Sequence, residues 1–286
     1  MNDRLRQVGE RLDTVAQLDV VMRAMRGIAA THLRDVHSQL PGIRAYAATI
    51  GVAIGEVMTL LQTELQSKSK MKARDAELII VLCAEQGFAG TFNEQILDAL
   101  RRYRSNSGAT EILLVGSRGA ELTQDRNIDV LSTLAMATRV DAIPALANVL
   151  AEELYQQIAN GDFRRISLAH AHYDASAKLN TLVRSLVPFD FSRFKIPARG
   201  EPPMLTLDPE DLVSRLAREY VYAELCDALM QSYAAENEAR MRAMIRARTN
   251  VENTQKALSA EYQQLRQEQI TSEITELSVG RLSERS

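Results

Sequence analysis

The chain has 286 residues, with 34 basic and 37 acidic side chains, a net charge of −3 and no tryptophan. Because the two signs of charge are interspersed and aromatic residues are sparse, we expect no electrostatic attraction to nucleic acid and no platform for stacking nucleobases. The chain has no apolar run of 18 residues and starts with a charged helix, so we expect membrane contact only through other proteins.

A repeat of apolar residues dominates the amino-terminal part of the chain. Apolar residues recur at alternating steps of three and four from Leu5 to Leu61, with Asp19 and Arg26 as interruptions. This spacing is the heptad pattern of a coiled-coil helix. We predict a first coiled-coil segment over residues 1–67, followed by a basic linker over residues 68–75.

Short apolar runs alternate with helical patterns in the middle of the chain. The predicted strands cover residues 76–83, 111–116, 128–131, 165–173 and 179–186, and predicted helices begin near residues 93, 117 and 141. Nearly continuous apolar runs are typical of strands buried on both faces, and their alternation with helices indicates βαβ units. We predict a central Rossmann-like α/β domain over residues 76–190, with a mostly parallel five-stranded sheet.

The carboxyl-terminal part is predicted to be a second long helix. Neither Gly nor Pro occurs from Glu210 to Val279, a stretch that would extend roughly 100 Å at the usual helical rise. Such a helix is too long for one globular core. We predict that residues 209–286 pair with the first helix in an antiparallel coiled coil.

Arginines cluster on both predicted long helices. Four of them, and no acidic residue, lie between Arg240 and Arg248, while Arg23 and Arg26 flank Met25. A solvated face is the ordinary interpretation of such a cluster. Since apolar residues continue the seam beside them, we predict that these arginines project outward as a basic band on a packed rod, suited to moving past acidic loops.

Two turns occupy the position at which α/β proteins bind phosphates. Residues 83–93 and 116–119 each follow a predicted strand and precede a helix. Both lack the glycine-rich nucleotide patterns and a lysine, and Glu85 would repel a phosphate. We interpret both segments as structural turns.

Histidine and cysteine give weak indications of a site. His170, His172 and Asp174 alternate on one strand face and could hold a metal, but the sequence offers no cluster that would supply a fourth ligand, so we interpret them as a half-buried strand end with polar residues toward solvent. Cys83 and Cys226 lie in different predicted elements, which favours free thiols. No catalytic triad or carboxylate pair is recognisable. We therefore predict no catalytic residues, no metal and no cofactor.

Three short segments, in a fixed order, carry a family resemblance. They are Met22–Ala30, Gln86–Asn93, and Ala234–Met244 together with Leu265–Leu277. The first resembles the amino-terminal Ala-Met-x-x-Val-Ala-Ala motif, the second the Arg-Gly-Leu-Cys-Gly-x-Phe-Asn loop, and the third the carboxyl-terminal signature of the gamma subunit of F-type ATP synthases. Between them they extend over the whole chain.

The resemblance implies a central rotor shaft without an active site of its own. In this family the two terminal helices pair inside a hexamer of three alpha and three beta subunits. The α/β domain sits below, with the epsilon subunit and the ring of c subunits. Ion flow turns the ring and the shaft, which drives ATP synthesis, or the reverse during hydrolysis. The implied location is the cytoplasmic face of the bacterial inner membrane, as a peripheral protein held through the Fo sector.

The resemblance also implies which residues contact the hexamer. By position in the motifs, the contacts with the beta levers fall on Arg23, Met25, Arg26, Arg240, Arg242 and Arg246, and those at the upper end of the shaft on Arg266, Gln267, Thr271 and Glu273.

Other interpretations remain open at this point. The chain departs from the family pattern at residues 19–23, at Gln263 and after Gly280, which favours a second, sodium-type, ion-pumping F-ATPase as one alternative. Another is an α/β enzyme or ligand-binding protein whose long helices serve dimerisation. A third is a coiled-coil scaffold that dimerises by itself.

Overall fold

The computed structural model describes residues 2–61, 76–104, 109–160, 163, 165–173, 178–188 and 205–283, and within these ranges it leaves out the side chains of residues 2, 59–61 and 276–283. The predicted basic linker over residues 68–75 and the third member of the histidine group, Asp174, lie outside the described residues.

Helices and strands follow one another in the predicted order. They are α1 (Asn2–Leu61), β1 (Glu77–Leu82), α2 (Phe92–Arg104), β2 (Thr110–Val115), α3 (Ser117–Asp125), β3 (Ser132–Leu134), α4 (Ile143–Ala159), β4 (Arg165–Tyr173), β5 (Leu179–Val187) and α5 (Pro209–Ser283). The prediction of two long terminal helices around an α/β region is confirmed. None of the helices in the described part of the chain is long and apolar enough to span a membrane.

The strands form one sheet in the order β3-β2-β1-β4-β5. The pairs β1–β2, β1–β4 and β2–β3 are parallel, whereas β4–β5 is antiparallel. Alternate residues of β1 face opposite layers: Leu78 and Ile80 join one apolar cluster, and Ile79 and Val81 join the other. The predicted, mostly parallel, five-stranded sheet is therefore confirmed.

The third strand lies later in the chain than predicted. Residues 128–131 are not a strand, and β3 instead pairs with β2 through Ser132–Leu134. Ile128 and Val130 pack against the cluster beneath α2, so they anchor the loop that leads into the strand. An apolar pattern identifies side chains that become buried, but it does not distinguish an anchored loop from a short strand.

The described chain divides into two compact units. We call Met1–Ala29 with Arg240–Ser286 the helical unit and Ala30–Ala239 the mixed unit. Each long helix contributes residues to both units. The three-part division expected from the sequence, at residues 1–67, 76–190 and 209–286, stays a prediction.

In the helical unit α1 and α5 pair antiparallel. Arg4 contacts Glu261 at 3.0 Å, and further along α1 the carboxylate of Asp19 accepts a hydrogen bond from Arg248 at 3.0 Å. Higher numbers on α1 therefore meet lower numbers on α5. The apolar contacts of the helix pair are made by a seam cluster of Val8, Leu258 and Leu265, with Leu5, Leu12, Val15 and Tyr262 packed around it.

In the mixed unit both long helices pack on the sheet. Val36 of α1 and Leu225 and Leu229 of α5 are fully buried in the same cluster as Leu78 and Leu168 of the sheet. The segment of α5 from Tyr220 to Ala239 is buried over most of its circumference, as is typical of a helix inside a core.

Candidate functional site

The structure places all ten predicted contact residues in the helical unit. Arg23, Met25 and Arg26 lie on α1, and the other seven lie on α5 between Arg240 and Glu273. The surface they occupy is built on two helices whose apolar seam holds them together. A side chain on such a framework is positioned more exactly than one on a loop.

On α1 the seam runs through Met25 instead of Arg26. Met25 is half-buried, between half-buried Met22 and buried Ala29, whereas Arg26 is exposed. The expected seam interruption at Arg26 is therefore wrong, because steps of three and four through residues 22, 25 and 29 keep an apolar residue at each contact. Arg23, also exposed, forms an ion pair with Asp19 on the same helix.

Asp19 interrupts the seam as expected, and its contacts in the structure explain why an acidic residue occupies this position. The carboxylate is only 14% exposed and contacts both Arg23 on its own helix and Arg248 on α5. A charged pair in a coiled-coil seam selects one register over others, since a shifted alignment would leave the charge unpaired. The sequence shows an acidic residue at a seam position and a basic stretch on the other helix. It does not show which basic residue pairs with Asp19.

The basic band on α5 is less exposed than predicted. Arg246 is exposed and Arg242 is half-buried, but Arg240 is only 6% exposed. The outward projection expected for Arg240 is therefore wrong. Arg240 lies one turn before buried Met244 on the same face of the helix, and the long apolar stem of arginine can be buried at such a position.

The last turns of α5 whose side chains are described present a mixed surface. Arg266, Gln267, Thr271 and Glu273 are all exposed. Ile270 and Ile274 are exposed to 47% and 59%, although both are large apolar side chains. Exposed apolar residues at a spacing of four form a stripe on one helix face, which is typical of a surface that another protein covers.

The strand-to-helix turns of the mixed unit are held together by Glu85. Its carboxylate accepts hydrogen bonds from the Ser117 backbone N–H at 3.0 Å, the Ser117 hydroxyl at 2.7 Å and the Met136 backbone N–H at 2.7 Å. Burial raises the pKa of Glu85, but these hydrogen bonds outweigh it and bring the pKa below its ordinary value. The carboxylate occupies the anion position at the start of α3, which supports the structural-turn interpretation.

Gly116 and Gly119 let this turn approach β1 closely. Gly116 has φ +112°, and a Cβ on it would lie 2.4 Å from the Cys83 carbonyl oxygen. A Cβ on Gly119 would lie 2.3 Å from the Cys83 side chain. Cys83 and Cys226 are both buried free thiols, as predicted, and burial raises the pKa of Cys83 to about 12.

The two strand histidines lie side by side without forming a metal centre with their described neighbours. The ring centroids of His170 and His172 are 6.2 Å apart. Within the described ranges, no three His, Cys, Asp or Glu side chains are arranged to hold a metal ion. His170 is 1% exposed, and burial, followed by the nearby charge of Arg184, lowers its pKa to about 4.

A cavity of about 1020 Å³ opens beside α2 in the mixed unit. Its lining includes Ala76 and Thr110, at the amino ends of β1 and β2, together with Arg104 and Arg126. Ligands of parallel α/β proteins bind at the carboxyl ends of strands, so this cavity lies at the wrong edge of the sheet for that mode of binding.

Comparisons with known proteins agree over nearly the whole chain. The family model for ATP synthase matches residues 4–281. The chain is 25% identical over 281 residues to an ATP synthase gamma chain of Clostridium perfringens (strain SM101 / Type A), and 26% identical over 290 residues to one of Campylobacter concisus. The first alignment covers 96% of both chains, and the second covers 96% of this chain and 97% of the other. The chain belongs to the ATP synthase gamma-chain family.

Solved structures share the fold of this ATP synthase family. The rotor of Euglena gracilis mitochondrial ATP synthase matches with a TM-score of 0.67 at 13% identity, covering 94% of this chain and 100% of that one. A chain in the central stalk and c-ring structure of Tetrahymena thermophila mitochondrial ATP synthase matches with a TM-score of 0.55 at 19% identity, over 79% and 99% of the two chains. Neither the dimerising enzyme nor the sodium-type pump is favoured by these matches.

Proposed function

We propose that this chain is the gamma subunit that forms the central shaft of an F-type ATP synthase. The observation that carries the proposal is the family match over residues 4–281, on a chain whose ends pair as two antiparallel helices. Rotation of the shaft couples ion flow to ATP synthesis or hydrolysis at the beta subunits. The chain itself is not catalytic.

The physical requirements of a shaft fit the helical unit. Each helical turn is hydrogen-bonded to the next, and the seam of Val8, Leu258 and Leu265 ties one helix to the other, so the pair resists twisting. The ion pairs of Asp19 and Arg4 with α5 set the register of that pair. Its exposed surface is mostly polar, which allows rotation without strong apolar attachment.

The proposed partners are the hexamer of three alpha and three beta subunits, the epsilon subunit and the c-subunit ring. The similar solved chains belong to the rotor and to the OSCP/F1/c-ring assembly of Euglena gracilis mitochondrial ATP synthase. Membrane association would then occur only through the Fo sector, at the cytoplasmic face of a bacterial inner membrane, with neither nucleic acid nor a cofactor involved.

We assign the hexamer contacts to the predicted residues that reach the surface of the helical unit. They are Arg23, Met25, Arg26, Arg242, Arg246, Arg266, Gln267, Thr271 and Glu273. Arg240 stays a predicted contact residue, although its burial makes it a packing residue within this chain. Cationic side chains on a rotating surface attract acidic loops without fixing a single geometry.

Co-purification tests the proposal. An affinity tag on the full-length chain, expressed in its host, should bring down three alpha and three beta subunits for each copy, with epsilon and c subunits in detergent extracts. A tagged double variant, Val8→Asp with Leu258→Asp, is the matched control, because charges in the seam should separate the helices and abolish recovery. Recovery of the wild-type chain as a homodimer without ATPase subunits would overturn the proposal.

A further inference from the structure

One carboxylate in the mixed unit joins three elements that are far apart in sequence. Asp227 of α5 accepts a hydrogen bond at 2.9 Å from Nε of Arg44, which lies on α1. Its other oxygen, Oδ2, lies 3.9 Å from Nη2 of Arg184 on β5 and accepts a hydrogen bond from Gln231. The side chain of Asp227 is 15% exposed and that of Arg184 is 18% exposed, whereas that of Arg44 is 56% exposed, so water screens the Arg44 contact more than the Arg184 contact.

Arg184 extends this contact along α5. Its guanidinium forms an ion pair with the Glu224 carboxylate and donates a second hydrogen bond to the Glu224 carbonyl oxygen at 3.3 Å. The side chains of Arg184 and Glu224 are 18% and 12% exposed. One planar guanidinium thus contacts two successive turns of the helix, a geometry that the single ammonium of lysine does not reproduce.

Among the described residues, the strand that carries Arg184 has a neighbouring strand on one side only. β5 is the outermost described strand of the sheet and pairs antiparallel with β4. Its Leu182 is 43% exposed, and most residues of the strand are at best half-buried. Leu186 is buried in one apolar cluster, and Leu179, Val183 and Val187 pack against the two clusters, so apolar contacts hold the strand on the sheet. The ion pairs with α5 add a directional attachment at this edge.

The contacts around these charges are mainly apolar. Val221, Leu225 and Leu229 of α5 pack into the cluster that includes Leu168 of β4. Apolar packing is favourable but not directional, so it resists separation of helix and sheet better than sliding between them. Buried ion pairs add little net stability, but they favour one register, because any shift leaves a buried charge unpaired.

We propose that Arg44, Arg184, Glu224 and Asp227 form an ionic joint that fixes the two long helices against the sheet, with Arg184 as its principal positioning residue. Force applied to the α/β layers would then turn the helices, because the sheet could not slide along them. This inference rests on the proposed function, because a joint of this kind matters in a chain that transmits torque. Arg184 acts through α5 and not by contact with nucleotide.

The test uses the whole ATP synthase complex in sealed vesicles. Arg184→Met should lower ATP-driven ion transport per ATP hydrolysed by about threefold or more, with hydrolysis and subunit stoichiometry close to wild type. Since that change leaves Glu224 half-buried without its arginine, the pair variant Arg184→Met with Glu224→Leu removes both charges and should show the same loss. Arg184→Lys, which keeps the charge, should recover part of the transport.

Arg215→Met is the matched control, because Arg215 forms an exposed ion pair with Asp211 inside α5 alone. It should leave transport per ATP unchanged. If the Arg184 variants pump as efficiently as wild type, or if transport and hydrolysis fall in proportion, the ionic joint is rejected while the shaft function stands. If neither the wild-type chain nor any variant assembles with alpha and beta subunits, the proposed function itself is rejected.

Discussion

At the scale of single residues, His170 illustrates how burial changes the chemistry of a side chain. The ring is 1% exposed, and neither nitrogen has a hydrogen-bond partner among the described residues. Arg184, His172 and Asp227 are the charged or titratable groups that act on it, and burial and the first two lower its pKa to about 4. The ring is therefore neutral at neutral pH.

This burial predicts a stability that depends on pH. In the unfolded chain a histidine has a pKa of about 6.5, so between pH 6.5 and 4 the unfolded state binds a proton that the folded state does not. Stability should therefore fall as the pH drops through that window, by about 2 kcal/mol at pH 5. Urea unfolding at pH 7.5 and pH 5 should show this loss in wild type and in His37→Leu, an exposed control, but a smaller loss in His170→Leu. An equal loss in all three would contradict the assignment.

Gly116 is a position where only glycine fits. Its φ of +112° and the 2.4 Å approach of an added Cβ to the Cys83 carbonyl oxygen predict that Gly116→Ala loses about 2 kcal/mol or more. Gly42 lies within α1 with nothing within 4 Å of an added Cβ, so Gly42→Ala should gain up to about 1 kcal/mol. Chemical unfolding of the two variants should move in opposite directions, and a neutral Gly116→Ala would show that the turn is not constrained.

At the scale of elements, the helix pair depends on a strict spacing. Met244, Val251, Leu258 and Leu265 of α5 recur every seven residues, and all are buried or half-buried. On α1, Val8 lies in the cluster with the last two. Mutual packing along this seam, more than helix propensity, holds the two helices of the helical unit in place.

Shortening one seam side chain should weaken the helical unit. Leu258→Ala leaves a gap between Val8 and Leu265 and should cost about 2 to 3 kcal/mol. Thermal unfolding followed by far-ultraviolet circular dichroism would register the loss. Ile270→Ala is the control on the same helix, because Ile270 is 47% exposed and its truncation should change stability by less than about 0.5 kcal/mol. Equal effects would exclude the seam as the source of stability.

At the level of the whole molecule, the predicted contact residues and the proposed ionic joint lie in different units. The predicted hexamer contacts all lie in the helical unit, whereas the ionic joint lies in the mixed unit with the sheet. α1 and α5 contribute residues to both. A change on the helical surface should therefore alter coupling without disturbing the α/β fold.

Met25→Lys tests that expectation in the assembled ATP synthase. The variant adds a charge at a half-buried position between Arg23 and Arg26, where an acidic loop of a beta subunit is expected. Ion transport per ATP should fall by about threefold or more, while assembly is retained. Gln17→Lys, an exposed position on the same helix, provides the control. Strictly proportional losses of hydrolysis and transport in Met25→Lys would refute the assigned role.

Both long helices and four of the five strands were predictable from the amino-acid sequence, because heptad spacing and apolar runs are local patterns. The antiparallel pairing was predictable from the position of the two long helices at opposite ends of the chain, on either side of the α/β region. The burial of Arg240, the contact of Asp19 with Arg248 and the attachment of Arg184 to α5 depend on the fold. An arginine has the same appearance in the sequence whether it faces solvent or a distant carboxylate, and the Arg184–Glu224 and Arg248–Asp19 pairs are 40 and 229 residues apart along the chain. Only folding brings such partners together, and the low-dielectric surroundings they then share decide what each charge does.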